Sequence, residues 1–228
     1  MLYYGYIAAP ASGDLILQTI MSKQPHFVVF GDGLAARSDI PAYVHQKGGL
    51  AIQYIPLGYG KNLIADVRNT TAAAMSSGYD GVFFDETNPN TDDWNAARAK
   101  EVRAYGSSKL VIFNPGVIPP SSMFNYADIV CVENKYNQKL PSYSNILPSR
   151  WMAVQGDPAN LAASSAQDAI NRTIAFRQNG GFWYYSTNYK KPGATHIELP
   201  SWYETFADWV KSQSRPCSSA VNPVPIKS

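Results

Sequence analysis

Three acidic residues follow short apolar runs of the sequence, at the positions where buried strands would end. Asp85 and Glu86 come directly after GVFF, and Glu133 comes after IVCV. Hydrolysis of a glycosidic bond needs two carboxyl groups, one that gives a proton to the leaving oxygen and one that attacks the sugar or activates water. We therefore interpret these three residues as candidate catalytic acids. The competing interpretation is a solvated turn, because Thr87-Asn88-Pro89 follows Glu86 and has the composition of a turn.

Other polar and aromatic side chains in or just after the apolar runs are candidates for binding a sugar. They are Tyr6, Asp32, Tyr54, Tyr59, Asn114, Gln155, Trp183 and Tyr185. Aromatic residues make up 13% of the chain, which suits a surface that stacks on sugar rings but also an aromatic-rich core. Two of the polar candidates have simpler interpretations: Asp32, between glycines, fits a tight turn, and Asn114 fits a cap on the Asn-Pro-Gly turn.

A repeating pattern of strands and helices must position these residues. Runs of β-branched and aromatic residues begin near Leu2, Phe27, Leu50, Gly81, Leu110, Ile129, Trp151 and Gly181. Several are apolar almost throughout, as expected of parallel strands that are covered on both faces. Between the runs, helical periodicity occurs over residues 62–77, 92–105, 160–178 and 201–212.

Eight strands that alternate with helices predict an α/β fold, a compact (β/α)8 TIM barrel. The barrel would form a single domain over residues 1–214, followed by a Pro- and Ser-rich tail over 215–228. The connections at 117–128 and 135–150 have little helical pattern, so one or two outer helices are expected to be short or missing. An open doubly wound sheet is the alternative, but residues 8–13 lack the glycine-rich phosphate loop that such a fold would place there.

The barrel would bring the candidate acids together. The carboxyl ends of all its strands meet at one mouth, and side chains from alternate strands share a layer. Asp85 or Glu86 on the fourth predicted strand can therefore pair with Glu133 on the sixth.

Charge and composition argue against several classes of partner. Nineteen Lys and Arg against seventeen Asp and Glu give a net charge of +2, and the basic residues are scattered. We therefore expect no nucleic-acid partner and no anionic-membrane footprint. The chain has no apolar run of the roughly 18 to 20 residues that a membrane-spanning helix needs, and no signal peptide is visible in it.

Other catalytic chemistries fit the sequence less well. The three histidines have no metal-ligand spacing, and the chain contains no G-x-S-x-G nucleophile elbow. We therefore expect neither a metal nor an organic cofactor. Cys131 lies within an apolar run and is interpreted as a buried free thiol, with a bridge to Cys217 as the alternative.

Four motifs in order resemble the spherulin-4-like family, or spherulation-specific family 4, whose fungal members form glycoside hydrolase family 135. They are Tyr54-Ile55-Pro56-Leu57-Gly58-Tyr59-Gly60, Gly81-Val82-Phe83-Phe84-Asp85-Glu86, Asn114-Pro115-Gly116, and Ala127-Asp128-Ile129-Val130 leading to Glu133. The resemblance implies a compact (β/α)8 barrel and endo-type hydrolysis of an amino-sugar polysaccharide of the galactosaminogalactan kind. It also implies an acidic cluster of Asp85, Glu86 and Glu133. One departure is the segment Phe30-Gly31-Asp32-Gly33-Leu34, where the family usually has Asn-Pro and a glycine-rich loop that contacts substrate.

The sequence and this resemblance together predict a secreted or surface-associated glycoside hydrolase that acts as a monomer on a polysaccharide. Asp85 and Glu133 are its expected principal pair and Glu86 its third acid, while retaining, inverting and substrate-assisted routes all remain open. The rival hypotheses are a non-catalytic carbohydrate-binding or wall-associated barrel and a structural protein on the same scaffold.

Overall fold

The structure is a computed structural model that describes residues 11–155, 163–186 and 199–213. Its strands are β1 Phe27–Phe30, β2 Leu50–Pro56, β3 Gly81–Asp85, β4 Leu110–Asn114, β5 Ile129–Glu133, β6 Trp151–Gln155 and β7 Trp183–Ser186. Its helices are α1 Leu15–Ser22, α2 Asp39–Gln46, α3 Ile64–Ser76, α4 Asp92–Arg103, α5 Ala166–Gln178 and α6 Tyr203–Ser212. The longest, α3 and α5, have 13 residues each, and none in the described part of the chain is of a kind that could span a membrane.

All seven strands are parallel and pair in the order of the sequence, from β1 to β7. This is the strand order of a (β/α)8 barrel, because each crossover returns the chain to the next position along the sheet. The described strands match seven of the eight predicted runs. The eighth, which begins near Leu2, lies outside the described residues, as does the predicted tail over 215–228.

The sheet curls so that its two outer strands approach each other. Trp183 of β7 packs against Phe27 of β1, with ring centroids 5.3 Å apart, and stacks on His26 at 5.6 Å. The helical layer closes in the same way, because Lys23 at the end of α1 forms a salt bridge to Asp208 of α6 at 3.0 Å. The first and last described strands, and the first and last described helices, are therefore neighbours, as in a barrel.

Alternating strand residues build two apolar layers. One face forms the interior of the curled sheet, with Phe27, Val29, Ile52, Phe83, Leu110, Ile112, Ile129, Cys131 and Met152 buried together. The other face packs against the helices through Val28, Phe30, Ala51, Ile55, Val82, Phe84, Val111, Phe113, Val130, Val132 and Ala153. Since both faces are covered, the strands read as nearly continuous apolar runs.

The two weakly helical connections are confirmed as the places where the outer layer is thin. Between β4 and β5 the chain forms only a short 3-10 helix at Ser121–Asn125, and between β5 and β6 only one at Pro148–Arg150. Helices α3, α4, α5 and α6 follow the predicted periodicity, whereas α1 and α2 lie outside the four segments for which helical periodicity was predicted. Glycines at their ends take positive φ, as Gly48 (78°) and Gly78 (98°) do, because a left-handed residue closes the last turn.

Candidate functional site

The strand ends of β3, β4 and β5 bring three polar residues to one mouth of the curled sheet. Asp85 ends β3 and lies in register with Asn114, which ends β4, while Glu133 ends β5. Each of them lies two residues after a side chain of the interior layer. Because strand side chains alternate, all three point into the mouth rather than toward the helices.

The buried amide of Asn114 joins the two carboxylates. Its Nδ2 donates to Asp85 Oδ1 at 2.6 Å and to Glu133 Oε1 at 2.7 Å. These two oxygens are therefore at most about 5.3 Å apart, the sum of the two bonds. Asn114 is 1% exposed, and its Oδ1 accepts from the Gly116 N–H at 3.0 Å, which fixes the orientation of the amide. The structure thus brings Asp85 and Glu133 together.

Two further donors orient Asp85. The Tyr54 hydroxyl donates to Oδ2 at 2.7 Å, and the backbone N–H of Glu86 donates to Oδ1 at 2.8 Å. Tyr54 stacks on Phe83 of the interior layer, with ring centroids 6.1 Å apart. Burial, and then the negative charge of Asp85, raise the pKa of Tyr54, so its hydroxyl keeps its proton and acts as a donor. Tyr54, which was predicted to contact a sugar, forms a hydrogen bond to the candidate catalytic acid Asp85 in the structure.

Glu86 and Tyr59 reach the mouth through strained backbone. Both take left-handed conformations, with φ of 51° and 54°, and the Tyr59 N–H donates to the Glu86 carbonyl at 2.7 Å. Left-handed non-glycine residues are costly and concentrate at functional sites. Tyr59 is 51% exposed. Partial burial, and then the charges of Glu86, Glu133 and Asp85, raise the pKa of Tyr59, so its phenol keeps its proton.

Gly116 is a site residue that the sequence analysis did not select. A Cβ on Gly116 would lie 3.9 Å from the Tyr59 hydroxyl and 4.0 Å from Glu133 Oε2, so Gly116 lies between the phenol and the carboxylate. Its φ of 70° turns the chain back so that its N–H reaches Asn114. The sequence feature that could have indicated this role is the glycine directly after Asn114-Pro115.

Cys131 lies below the acids in the interior layer and is a free cysteine. Burial raises the pKa of its thiol well above the usual range, and the charges of Glu133 and Asp85 raise it further. The thiol therefore stays protonated and is not a nucleophile. Its alternative partner, Cys217, lies outside the described residues.

Asp32 lies beside this mouth, in the loop after β1. Its carboxylate accepts from the Gly33 N–H at 2.8 Å, as in the tight-turn interpretation. It also lines a pocket of about 360 Å³ with Pro56, Lys61 and Asn62. Asp32 thus occupies a turn and faces an open pocket at the same time.

The structure corrects the placement of Trp183 and leaves three other candidates undescribed. Trp183 begins β7 instead of ending it, so it lies at the opposite end of the barrel, where its Nε1 donates to the Ser149 carbonyl at 2.7 Å. It is therefore not part of this mouth. Gln155 and Tyr185 lie on β6 and β7 with side chains outside the described set, and Tyr6 lies outside the described residues.

No cluster of three or more His, Cys, Asp or Glu suited to a metal ion occurs within residues 11–155, 163–186 and 199–213. The expectation of a reaction without metal or organic cofactor stays a prediction.

Comparison with known proteins identifies the family. The model of spherulation-specific family 4 (Spherulin4) matches residues 36–212, which is most of the chain, so the chain belongs to this family. The fold is similar to the crystal structure of an alpha-amylase from Lactobacillus plantarum, with a TM-score of 0.51 and 13% sequence identity over 81% of this chain and 69% of that one. At this identity the similarity shows the barrel fold alone. No curated protein matches the chain.

Proposed function

We propose that this protein is a glycoside hydrolase that cleaves an amino-sugar polysaccharide within its chain, with Asp85 and Glu133 as the catalytic pair and Glu86 as a third acid. The observation that carries the proposal is the convergence of two carboxylates on one amide nitrogen at a strand-end mouth. Barrel enzymes place their chemistry at this end of the strands. The likeness to an α-amylase barrel agrees with the fold but supplies no chemistry of its own, because one fold serves many functions.

The spacing of the pair supports retention of configuration. Carboxyl groups about 5 to 5.5 Å apart are typical of retaining enzymes, whereas inverting enzymes leave about 6.5 to 9.5 Å for a water molecule. Asp85 Oδ1 and Glu133 Oε1 are at most about 5.3 Å apart, which is shorter than the separation typical of inverting enzymes. A direct route through a glycosyl-enzyme and a route assisted by a substrate N-acetyl group both give this outcome.

The surroundings of the two acids suggest different roles. Asp85 accepts three hydrogen bonds, which orient its carboxylate and stabilise negative charge on it. We therefore propose that Asp85 acts at the anomeric carbon, either as the nucleophile or as the group that orients the N-acetyl group of the substrate. Glu133, near the exposed Tyr59, then gives its proton to the leaving oxygen as the glycosidic C–O bond breaks. In the second step Glu133 takes a proton from the water that attacks the anomeric carbon.

The amino-sugar substrate is proposed from family membership, and the mouth offers surfaces that suit a sugar polymer. Tyr59 exposes half of its side chain beside the acids. The Asp32 pocket lies between the end of β2 and α3, and none of the three acids lines it. A polysaccharide substrate outside the cell would require a secreted or surface-associated enzyme. Because one chain supplies both acids and Asn114, a monomer suffices.

The test is release of reducing ends from a panel of amino-sugar polysaccharides. Asp85→Asn and Glu133→Gln should each lower the rate by about 10²-fold or more, the scale of general acid–base and nucleophilic effects. Asp208→Asn is the matched control, because this exposed acid pairs only with Lys23 on the outer helices among the described contacts. Unchanged turnover in both site variants would rule out the assignment. Glycan binding without any release by the wild type would instead identify a carbohydrate-binding barrel.

A further inference from the structure

We propose that Asn114 is the positioning residue of this site, one that holds the Asp85 and Glu133 carboxylates at their working distance and does not contact the sugar. The inference rests on the proposed function. It reassigns Asn114, which the sequence had suggested as a substrate contact.

Both donor hydrogens of the Asn114 side chain are occupied by protein. An amide carries two donor hydrogens, and Nδ2 contacts one oxygen of each acid at 2.6 and 2.7 Å. The amide oxygen accepts from the Gly116 N–H. With both hydrogens used and 1% of the residue exposed, the amide has no donor left for a sugar hydroxyl.

Only one of the two orientations of the amide is compatible with its contacts. If the amide flipped, its oxygen would face two carboxylate oxygens and its NH2 would face the Gly116 N–H, so all three contacts would become repulsive. Gly116 can supply this N–H because its φ of 70° lies in the left-handed region, which residues with a side chain rarely adopt. Substitution of Gly116 by Ala should therefore loosen the amide, while its Cβ would make only an ordinary van der Waals contact with Glu133 Oε2, at 4.0 Å.

A neutral donor between two carboxylates does more than fix their distance. The partial positive charge of its NH2 end offsets the repulsion between them. The other titratable groups that face the pair are Glu86 beside Asp85, Tyr54 from β2, Tyr59 from the following loop, Cys131 from below on β5, and Asp32 beyond Tyr54. Each of these groups is an acid, a phenol or a thiol, and the neutral NH2 of Asn114 is a donor that the two acids share.

Kinetics of Asn114→Ala and Asn114→Asp test the role. The Ala variant should lose about 10- to 100-fold in kcat, the worth of a hydrogen bond to a charged group, with KM within about twofold of wild type. The acidic limb of its kcat/KM profile should move to higher pH. The Asp variant should be worse than the Ala variant at neutral pH and recover as the pH falls, because a protonated Asp can donate again. A raised KM with unchanged kcat would make Asn114 a substrate contact and overturn the inference.

Gly116→Ala provides a second variant in case the Asn114 variants fail to fold. It should lower kcat in the same direction, by a smaller factor, with both acids and Asn114 intact. Unchanged kcat together with an unchanged pH profile in Gly116→Ala would count against a locked amide.

A titration that needs no substrate separates this inference from the proposed function. Carboxyl-carbon NMR of Glu133 should show its titration midpoint about one pH unit higher in Asn114→Ala than in wild type, and unmoved in the Asp208→Asn control. If the wild type hydrolyses nothing but this shift occurs, the proposed function fails and the positioning role stands. If the midpoint does not move, the positioning role fails, whatever the activity.

Discussion

Replacing Glu133 by Gln should stabilise the protein while removing its proposed activity. Two carboxylate oxygens at most about 5.3 Å apart repel each other. Coulomb's law gives about 1 kcal/mol for unit charges at this distance in water and about 3 kcal/mol at the effective dielectric constant of about 20 near a protein surface. Both side chains are partly buried, so the gain should lie between these limits. Glutamine keeps the oxygen that accepts from Asn114.

The assay is urea unfolding of wild type and Glu133→Gln at a pH at which both acids are ionised, with the free energy of unfolding extrapolated to water. The variant should gain about 1 to 3 kcal/mol, and its Tm should rise by several degrees. The gain should shrink at lower pH, where carboxylates take up protons and Glu133 can act as an acid, and in high salt. Asp208→Asn, which breaks an exposed salt bridge, should cost less than about 1 kcal/mol. A Glu133→Gln variant that is less stable than wild type at that pH would show that the two carboxylates do not repel each other in the folded protein.

Substitutions at three further positions have expected outcomes. Gly81→Ala should destabilise the barrel by at least about 3 kcal/mol or prevent folding, as circular dichroism and solubility would report, because its Cβ would lie 2.3 Å from the Leu110 carbonyl oxygen on the next strand. Asp39→Asn should cost about 1 kcal/mol of folding free energy at pH 7, a value reduced because the Asp39 carboxylate is 40% exposed. The hydrogen bond from Arg37 lowers the pKa of Asp39 to about 2, so the stabilisation is fully present above the ordinary pKa of 3.8. The cost should disappear as the pH falls through about 2. Tyr59→Ala should raise KM for the polysaccharide about tenfold and Tyr59→Phe less than twofold; equal effects would contradict a ring-stacking role.

The barrel could be predicted because its signals are local. Each strand that is buried on both faces reads as an apolar run, and each helix has its own periodicity, so seven strand positions and the two thin connections follow from short segments of sequence. The position of Asp85 and Glu133 at one mouth follows from this, since both end such runs and parallel strands end at the same edge.

The hydrogen bonds within the site could not be predicted, because they depend on the register of the strands and on the local backbone conformation. That Asn114 lies beside Asp85 and reaches Glu133 requires the pairing of β3, β4 and β5, which no single segment encodes. The left-handed conformations of Tyr59 and Glu86 are unfavourable for their residue types, so intrinsic preference argues against them. Trp183 begins β7 and lies at the opposite end of the barrel, whereas Tyr54 lies near the end of β2 and reaches the mouth, and the sequence pattern did not distinguish these two positions.

Proton NMR of an amino-sugar polysaccharide during cleavage tests whether Asp85 and Glu133 form a retaining catalytic pair, because it reports bond cleavage and the configuration of the new reducing end in one time course. Before mutarotation, wild type should release reducing ends with the anomeric configuration of the bond that was cut. Glu133→Gln should release none above background. Release of the opposite anomer, or equal release by wild type and Glu133→Gln, would contradict this role of the pair.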